Sequence, residues 1–437
     1  MSWFDFLQTK RECPIHFGRG IHAEVAEDEE QLFHSSLKAF ENQEMLDAYE
    51  YYLRSLINFS NNISNENIII NREKEELHFT LFQGSAKIKG VITEKKLYGE
   101  VLLTERSSAP VALKRKLLER NYQFTYINYV SDNGYLKLRL FQDNITMNPQ
   151  KVFFPLRELA LNGDFDKEFI ASEFSQTPLC DTEHLQLIPN EELLIKYNFL
   201  QKWIEELERK LLTLPSNDNA GMQAFLYLNI FLKIDYLLVP KYKISQKIVR
   251  KIEIYFSDEA TTIEAKNDEL KKYLDQLKEM AFEDFCHNFY NALYTFSPIE
   301  KSSYEEFCNF VSESLIKIRW YKHNRHLLLI PTIYSYMAFH SFYNYGLNFA
   351  LKELLHIFVS VHNSDFFTAL GCENYYNEEK EEFFKHSIIQ RIEESVSKHQ
   401  KKYKKLHSFV NELNFDSMNE FSHSYYHALK NLDFEEI

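Results

Sequence analysis

Two stretches of this chain carry a glutamate and a histidine three residues apart, Glu353/His356 and Glu420/His423. On a helix this spacing puts both side chains on one face. Two such pairs, with one more glutamate from each of two other helices, form the ligand set of a carboxylate-held metal pair that activates oxygen. Composition weighs against that chemistry, because 16 histidines in so glutamate-rich a chain give about two Glu-x-x-His pairs by chance. Three occur, and the third, Glu75/His78, lies in strand-like sequence where the spacing is of no use. A helical-bundle di-metal enzyme with Glu353, His356, Glu420 and His423 as ligands is therefore the alternative reading, and the main reading has no metal, cofactor or catalytic residue.

The remaining reactive residue types are scattered. Cys13 and His16 make half a metal site with no matching pair nearby, and adjacent Cys286 and His287 point to different sides of a helix. His423/His427 and His323/His326 share helix faces as surface or capping histidines do. There is no glycine-rich phosphate loop, no Gly-x-Ser-x-Gly elbow and no His-Glu-x-x-His, and ten glycines leave little material for such loops.

The elements that would position any site divide the chain in two. Residues 67–174 hold the only period-two pattern: Leu77, Phe79 and Leu81 alternate with His78 and Thr80, then Ala86, Ile88 and Ile92 with Lys87, Lys89 and Thr93. A third strand is predicted over 98–104 and a helix over 111–121, opened by Pro110. Strands over 124–130 and 135–141 flank Asn133-Gly134, a hairpin signal. An amphipathic helix over 36–59 precedes the strands, and another begins at Asn148. The expected fold class is α+β: an α-βββ-α-ββ-α module with a five-stranded antiparallel sheet over 36–174, followed by a large all-α domain.

This element order, with its long first helix and its polar hairpin before a final helix, resembles the type III secretion chaperone fold. The resemblance implies a small, usually dimeric, non-catalytic binder of partly unfolded partner segments. It carries over no functional residue, and more than half of the chain lies outside it.

Residues 1–35 read as an N-terminal arm containing the acidic run Glu27-Asp28-Glu29-Glu30, and residues 175–189 as a linker. From 190 to 437 the pattern is helical throughout, with helices expected over 190–214, 221–238, 245–256, 262–296, from Ser303 with its capping box, 333–361 interrupted upstream by Pro331, 378–413 and 416–432.

The formal charge of −14 is spread evenly over both halves, which argues against a nucleic-acid protein, although a local basic patch can hide in an acidic average. Five widely spaced cysteines without a Cys-x-x-Cys read as reduced thiols in a cytoplasmic protein. The N-terminus lacks a basic start followed by an unbroken apolar run, so no leader is expected, and the longest uncharged interval, 326–351, is too polar for a membrane span.

Two aromatic or apolar groupings stand out. The cluster from Trp320 through Tyr321, Tyr334, Tyr336, Phe339, Phe342, Tyr343 and Tyr345 reads as core between helices more readily than as a peptide groove. In the sheet, Phe82, Leu102, Ile127, Tyr129 and Phe141 are assigned to the face opposite the first apolar set, which makes them the candidate partner-binding patch unless the helical domain docks there. The functional expectation is a non-enzymatic, chaperone-like adaptor that engages a protein or peptide partner through apolar surface, with homodimerisation as a further expectation.

Overall fold

The computed structural model describes residues 15–20, 23–57, 66–144, 147–214, 219–257, 261–297 and 299–435. Cys13 and the extreme N-terminus lie outside them. The chain opens with a helical hairpin, α1 (Glu27–Glu41) and α2 (Met45–Ser55). The acidic run is the first turn of α1, where carboxylates meet the positive end of the helix dipole, so it belongs to a helix and not to an arm. The single helix expected over 36–59 is broken at Gln43, whose φ is 63°. There the Gln43 N–H reaches Phe40 O (3.2 Å) and the Glu44 N–H reaches Ala39 O (3.0 Å), a Schellman turn made without the usual glycine.

Next come β1 (Ile68–Arg72), β2 (Glu76–Gln83), β3 (Ala86–Thr93), β4 (Lys96–Glu105), α3 (Val111–Arg120), β5 (Ile127–Asp132), β6 (Tyr135–Asp143) and α4 (Pro149–Glu173). They form one antiparallel sheet in the order β1-β2-β3-β4-β6-β5. The fold class is α+β as expected, with six strands where five were predicted; the added strand is the isoleucine run of β1, which pairs with Leu77–Leu81 of β2. α4 begins where the Asn148 side chain accepts the Lys151 N–H (2.9 Å), with Pro149 in the first turn. α2 and α4 bury Tyr49, Leu53, Leu156 and Leu159 against Leu77, Ile88, Val101 and Leu138, which is the covered face of the sheet. α4 passes close over β4 at Gly163, where a Cβ would stand 3.0 Å from Val101.

The helical part comprises β7 (Gln186–Leu187), α5 (Asn190–Leu212), α6 (Ala220–Leu238), α7 (Tyr242–Phe256), α8 (Ile263–Lys278), α9 (Phe282–Cys286), β8 (Tyr290–Asn291) and α10 (Tyr304–His323). After these follow α11 (Ile330–Asn344), α12 (Phe349–His362), α13 (Ser364–Ala369), β9 (Tyr376–Asn377), β10 (Glu382–Phe383), α14 (Lys385–His399) and α15 (Met418–Leu429). α6 is apolar nearly all round and lies in the middle of the helical core. The capping box at Ser303 and Glu306 forms as the spacing implied.

Three expected helices are shorter than their patterns. The one over 262–296 stops as α8 and α9 before turning extended at β8, and 378–413 is helical as α14 only through His399. The span 333–361 splits into α11 and α12 because residues 300–302 cross it at Gly346. Ser302 N–H donates to Gly346 O (3.0 Å), Gly346 N–H donates to Ser302 Oγ (3.0 Å), and any Cβ on Gly346 would collide with the Glu300 carbonyl. Pro331 sits in the first turn of α11, where its missing N–H costs nothing.

The two parts are locked together. Gln83 Oε1 accepts the N–H groups of Thr295 (3.1 Å) and Phe296 (2.8 Å), and Phe296 completes the core of the sheet module. At the same turn the Gly84 N–H donates to Leu293 O (2.9 Å), and the turn is held within the sheet module by Asp164 of α4, whose Oδ1 accepts from Ser85 N (2.6 Å) and Ser85 Oγ (2.8 Å).

Candidate functional site

The five sheet residues proposed from the sequence do not share a face. Ile127 pairs with Leu140 and Tyr129 with Leu138, so both point toward α4; Ile127 is in the core, and the Tyr129 hydroxyl donates to Asp166 Oδ2 at 2.6 Å. Phe82, Leu102 and Phe141 are on the opposite face. There Phe82 is buried and stacks on His184, with ring centroids 5.0 Å apart, and Leu102 is half-buried. Only Phe141 of the five is well exposed, at 54%, beneath the Lys96 ammonium. Charged side chains interrupt what remains of this face: Lys89, Glu100 and Arg139 stand in one row across β3, β4 and β6. The apolar residues left on this face form the short row Val91, Tyr98 and Phe141 beside it.

The two Glu-x-x-His pairs do not converge either. Glu353 is held by Arg391 (3.0 Å), Lys398 (3.1 Å) and His399 (2.9 Å), all on α14. Burial opposes its ionisation, but the His399 hydrogen bond and the charges of Lys398 and Arg391 hold its carboxyl down at about 2. His356 points elsewhere, its Nδ1 bonded to the Tyr236 hydroxyl (2.8 Å), and burial pushes it down to about 4. Glu420 pairs loosely with Lys322, and His423 meets the Tyr334 hydroxyl at 3.3 Å. Among the described residues no group of three His, Cys, Asp or Glu side chains is arranged to hold a metal ion.

Other expectations fare variously. Tyr334 and Phe339 of the aromatic cluster are core, while Trp320 is exposed. Cys180, Cys286 and Cys308 are free thiols, but Cys372 is disulfide-bonded, against the expectation of a reduced thiol. Among the described residues no helix is long and apolar enough to cross a membrane.

A concavity lies elsewhere, where the start of α1, the end of α2, the first turn of α4 and Tyr294, Thr295 and Lys301 meet. It is a cleft of about 580 Å³, the size range of a ligand pocket. Val25, Phe33, Leu56, Phe153 and Tyr52 supply its apolar wall. Glu24, Glu29, Glu30, Lys301 and Lys402 bring charges of both signs to it.

Two of these residues show how the cleft is built. Glu24 is buried and accepts the Phe349 N–H (2.6 Å), the Lys402 ammonium (2.9 Å) and the Tyr403 hydroxyl, thereby pinning the segment before α1 to the N-terminus of α12. Burial alone would raise its pKa, yet these bonds keep it below the usual carboxylate range. Tyr52 is 1% exposed and its hydroxyl has no partner among the described residues, whereas the neighbouring Tyr49 hydroxyl donates to Asn144 Oδ1 at 2.7 Å. Burial raises the Tyr52 phenol well above its ordinary value, so it stays protonated and keeps a donor to offer.

Sequence reasoning missed this cleft because its wall is gathered from residues 23–33, 52–56, 149–153, 294–295, 301 and 402, with no spacing to link them. The one local hint was Tyr52 on the buried stripe of α2, a polar tip heading into core. No family model, curated protein or solved structure matches this chain.

Proposed function

We propose that the chain is a non-enzymatic binding protein and that it takes an apolar segment of a protein partner into the cleft between α1, α2, α4 and residues Tyr294, Thr295 and Lys301. The observation that carries this reading is the cleft itself: an apolar wall edged by Glu30, Lys301 and Lys402, the apolar centre and polar rim of a protein interface. A polypeptide segment supplies what that wall lacks, apolar side chains to fill it. The element order of the sheet module, which resembles that of type III secretion chaperones, supports the same class of function.

An array of short peptides of varied sequence, probed with the full chain, tests the reading. Binding is expected on peptides rich in large apolar residues and is expected to be lost in Val25→Asp, which alters an exposed side chain on the cleft wall and leaves the melting temperature unchanged. No bound peptide, or binding that Val25→Asp leaves intact, would overturn it.

A further inference from the structure

The C-terminal end of α10 carries cations with no carboxylate interspersed in sequence. No Asp or Glu occurs between Glu313 and Glu353, whereas the chain as a whole carries a charge of −14. Within this interval Lys317, Arg319, Lys322 and Arg325 are all exposed. Among the described residues their one carboxylate partner within ion-pair range is Glu420, 3.8 Å from Lys322.

Set among these cations are four large apolar side chains that face water. Ile316, Trp320, Leu327 and Leu328 are between 53% and 64% exposed. Ile316 and Trp320 are one turn apart on the side of α10 opposite its buried stripe of Phe307, Val311 and Ile318. The chain then reverses through Asn324 and Arg325, where the Arg325 N–H reaches Lys322 O (3.2 Å) and the His326 N–H reaches Tyr321 O (3.0 Å). This is a Schellman turn with arginine, at φ 61°, where glycine would be unstrained. His326 stacks on Trp320, with centroids 6.0 Å apart, which brings the following turn beside the helix end. In that turn Leu329 is buried as the anchor while Leu327 and Leu328 project outward.

We infer that this corner docks the chain peripherally on an anionic lipid surface. Charge complementarity selects the partner: four cations attract anionic headgroups, and each contributes to partitioning. The apolar side chains select a membrane over a nucleic acid, since isoleucine and leucine gain from acyl chains and have no base to stack on, while tryptophan favours the headgroup boundary. This docking is independent of the cleft, and the corner lies on a helix too polar to span.

Sedimentation of the full chain with phosphatidylcholine vesicles, with and without phosphatidylserine, tests the inference. Binding is expected only with phosphatidylserine and is expected to fall at high salt. Arg319→Gln and Lys317→Gln should each lower partitioning about fivefold. Leu327→Asp combined with Leu328→Asp should abolish it, whereas Leu187→Asp, at another highly exposed leucine, should not. Absence of phosphatidylserine-dependent binding, or binding that survives the double leucine substitution, would overturn the inference. So would tighter binding to a single-stranded oligonucleotide than to vesicles at the same salt.

Discussion

The Tyr129 hydroxyl donates to Asp166 Oδ2 at 2.6 Å, from a strand to the helix that covers it, and Arg120 pairs with the same carboxylate. This buried contact ties β5 to α4. Tyr129→Phe is expected to destabilise the fold by about 1–2 kcal/mol, because it strips one bond from a buried carboxylate. Peptide binding should be unchanged. Denaturant unfolding beside the peptide array measures both, and a loss of binding at full stability would return Tyr129 to a partner surface.

Tyr52 and Tyr49 lie on the same helix with opposite expectations. Tyr49→Phe removes a hydrogen bond to Asn144 and should cost about 1 kcal/mol. Tyr52→Phe removes a buried hydroxyl that has no partner among the described residues and should leave the melting temperature equal or higher. A lower melting temperature for Tyr52→Phe would show that the hydroxyl is satisfied in the free protein.

Glu353 ties α12 to α14 and gives the stability a defined acid limb. Its folded pKa, about 2, is below the ordinary 4.5, so its contribution is present above pH 4.5 and is lost as pH falls from 4.5 toward 2. Glu353→Gln should cost on the order of 2 kcal/mol at pH 7 and flatten the decline in that window. Melting curves from pH 2 to 8 check it, and an unchanged acid limb would contradict the assignment.

Arg325 separates structural from surface roles by sign. Arg325→Gly relieves a left-handed backbone and should stabilise the fold by about 0.5–1 kcal/mol. The same change should lower partitioning onto phosphatidylserine vesicles about fivefold. A variant that is more stable yet binds vesicles as well as the parent would show that the cation at this turn is not used.

The sheet module was legible because alternation and turn chemistry agree. Asn133-Gly134 set the hairpin, and that two-residue turn in fact fixes Tyr129 opposite Leu138, on the covered face. The misplacement of Ile127 and Tyr129 came from reading each strand's apolar set separately instead of counting the register through the turn. The helix breaks were less accessible. Gln43 adopts the left-handed turn without glycine, and Gly346 is dictated by a segment some 45 residues away in sequence that crosses over it. The basic corner at the end of α10 was visible as residues but hidden by an even charge average, and the cleft required tertiary assembly.

The most direct measurement is hydrogen–deuterium exchange of the full chain with and without its best array peptide. The cleft account predicts new protection in residues 23–33, 52–56, 149–153 and 294–297, with the strands of the open sheet face unchanged. Protection confined to β3, β4 and β6, or none at the cleft despite saturating peptide, would contradict it.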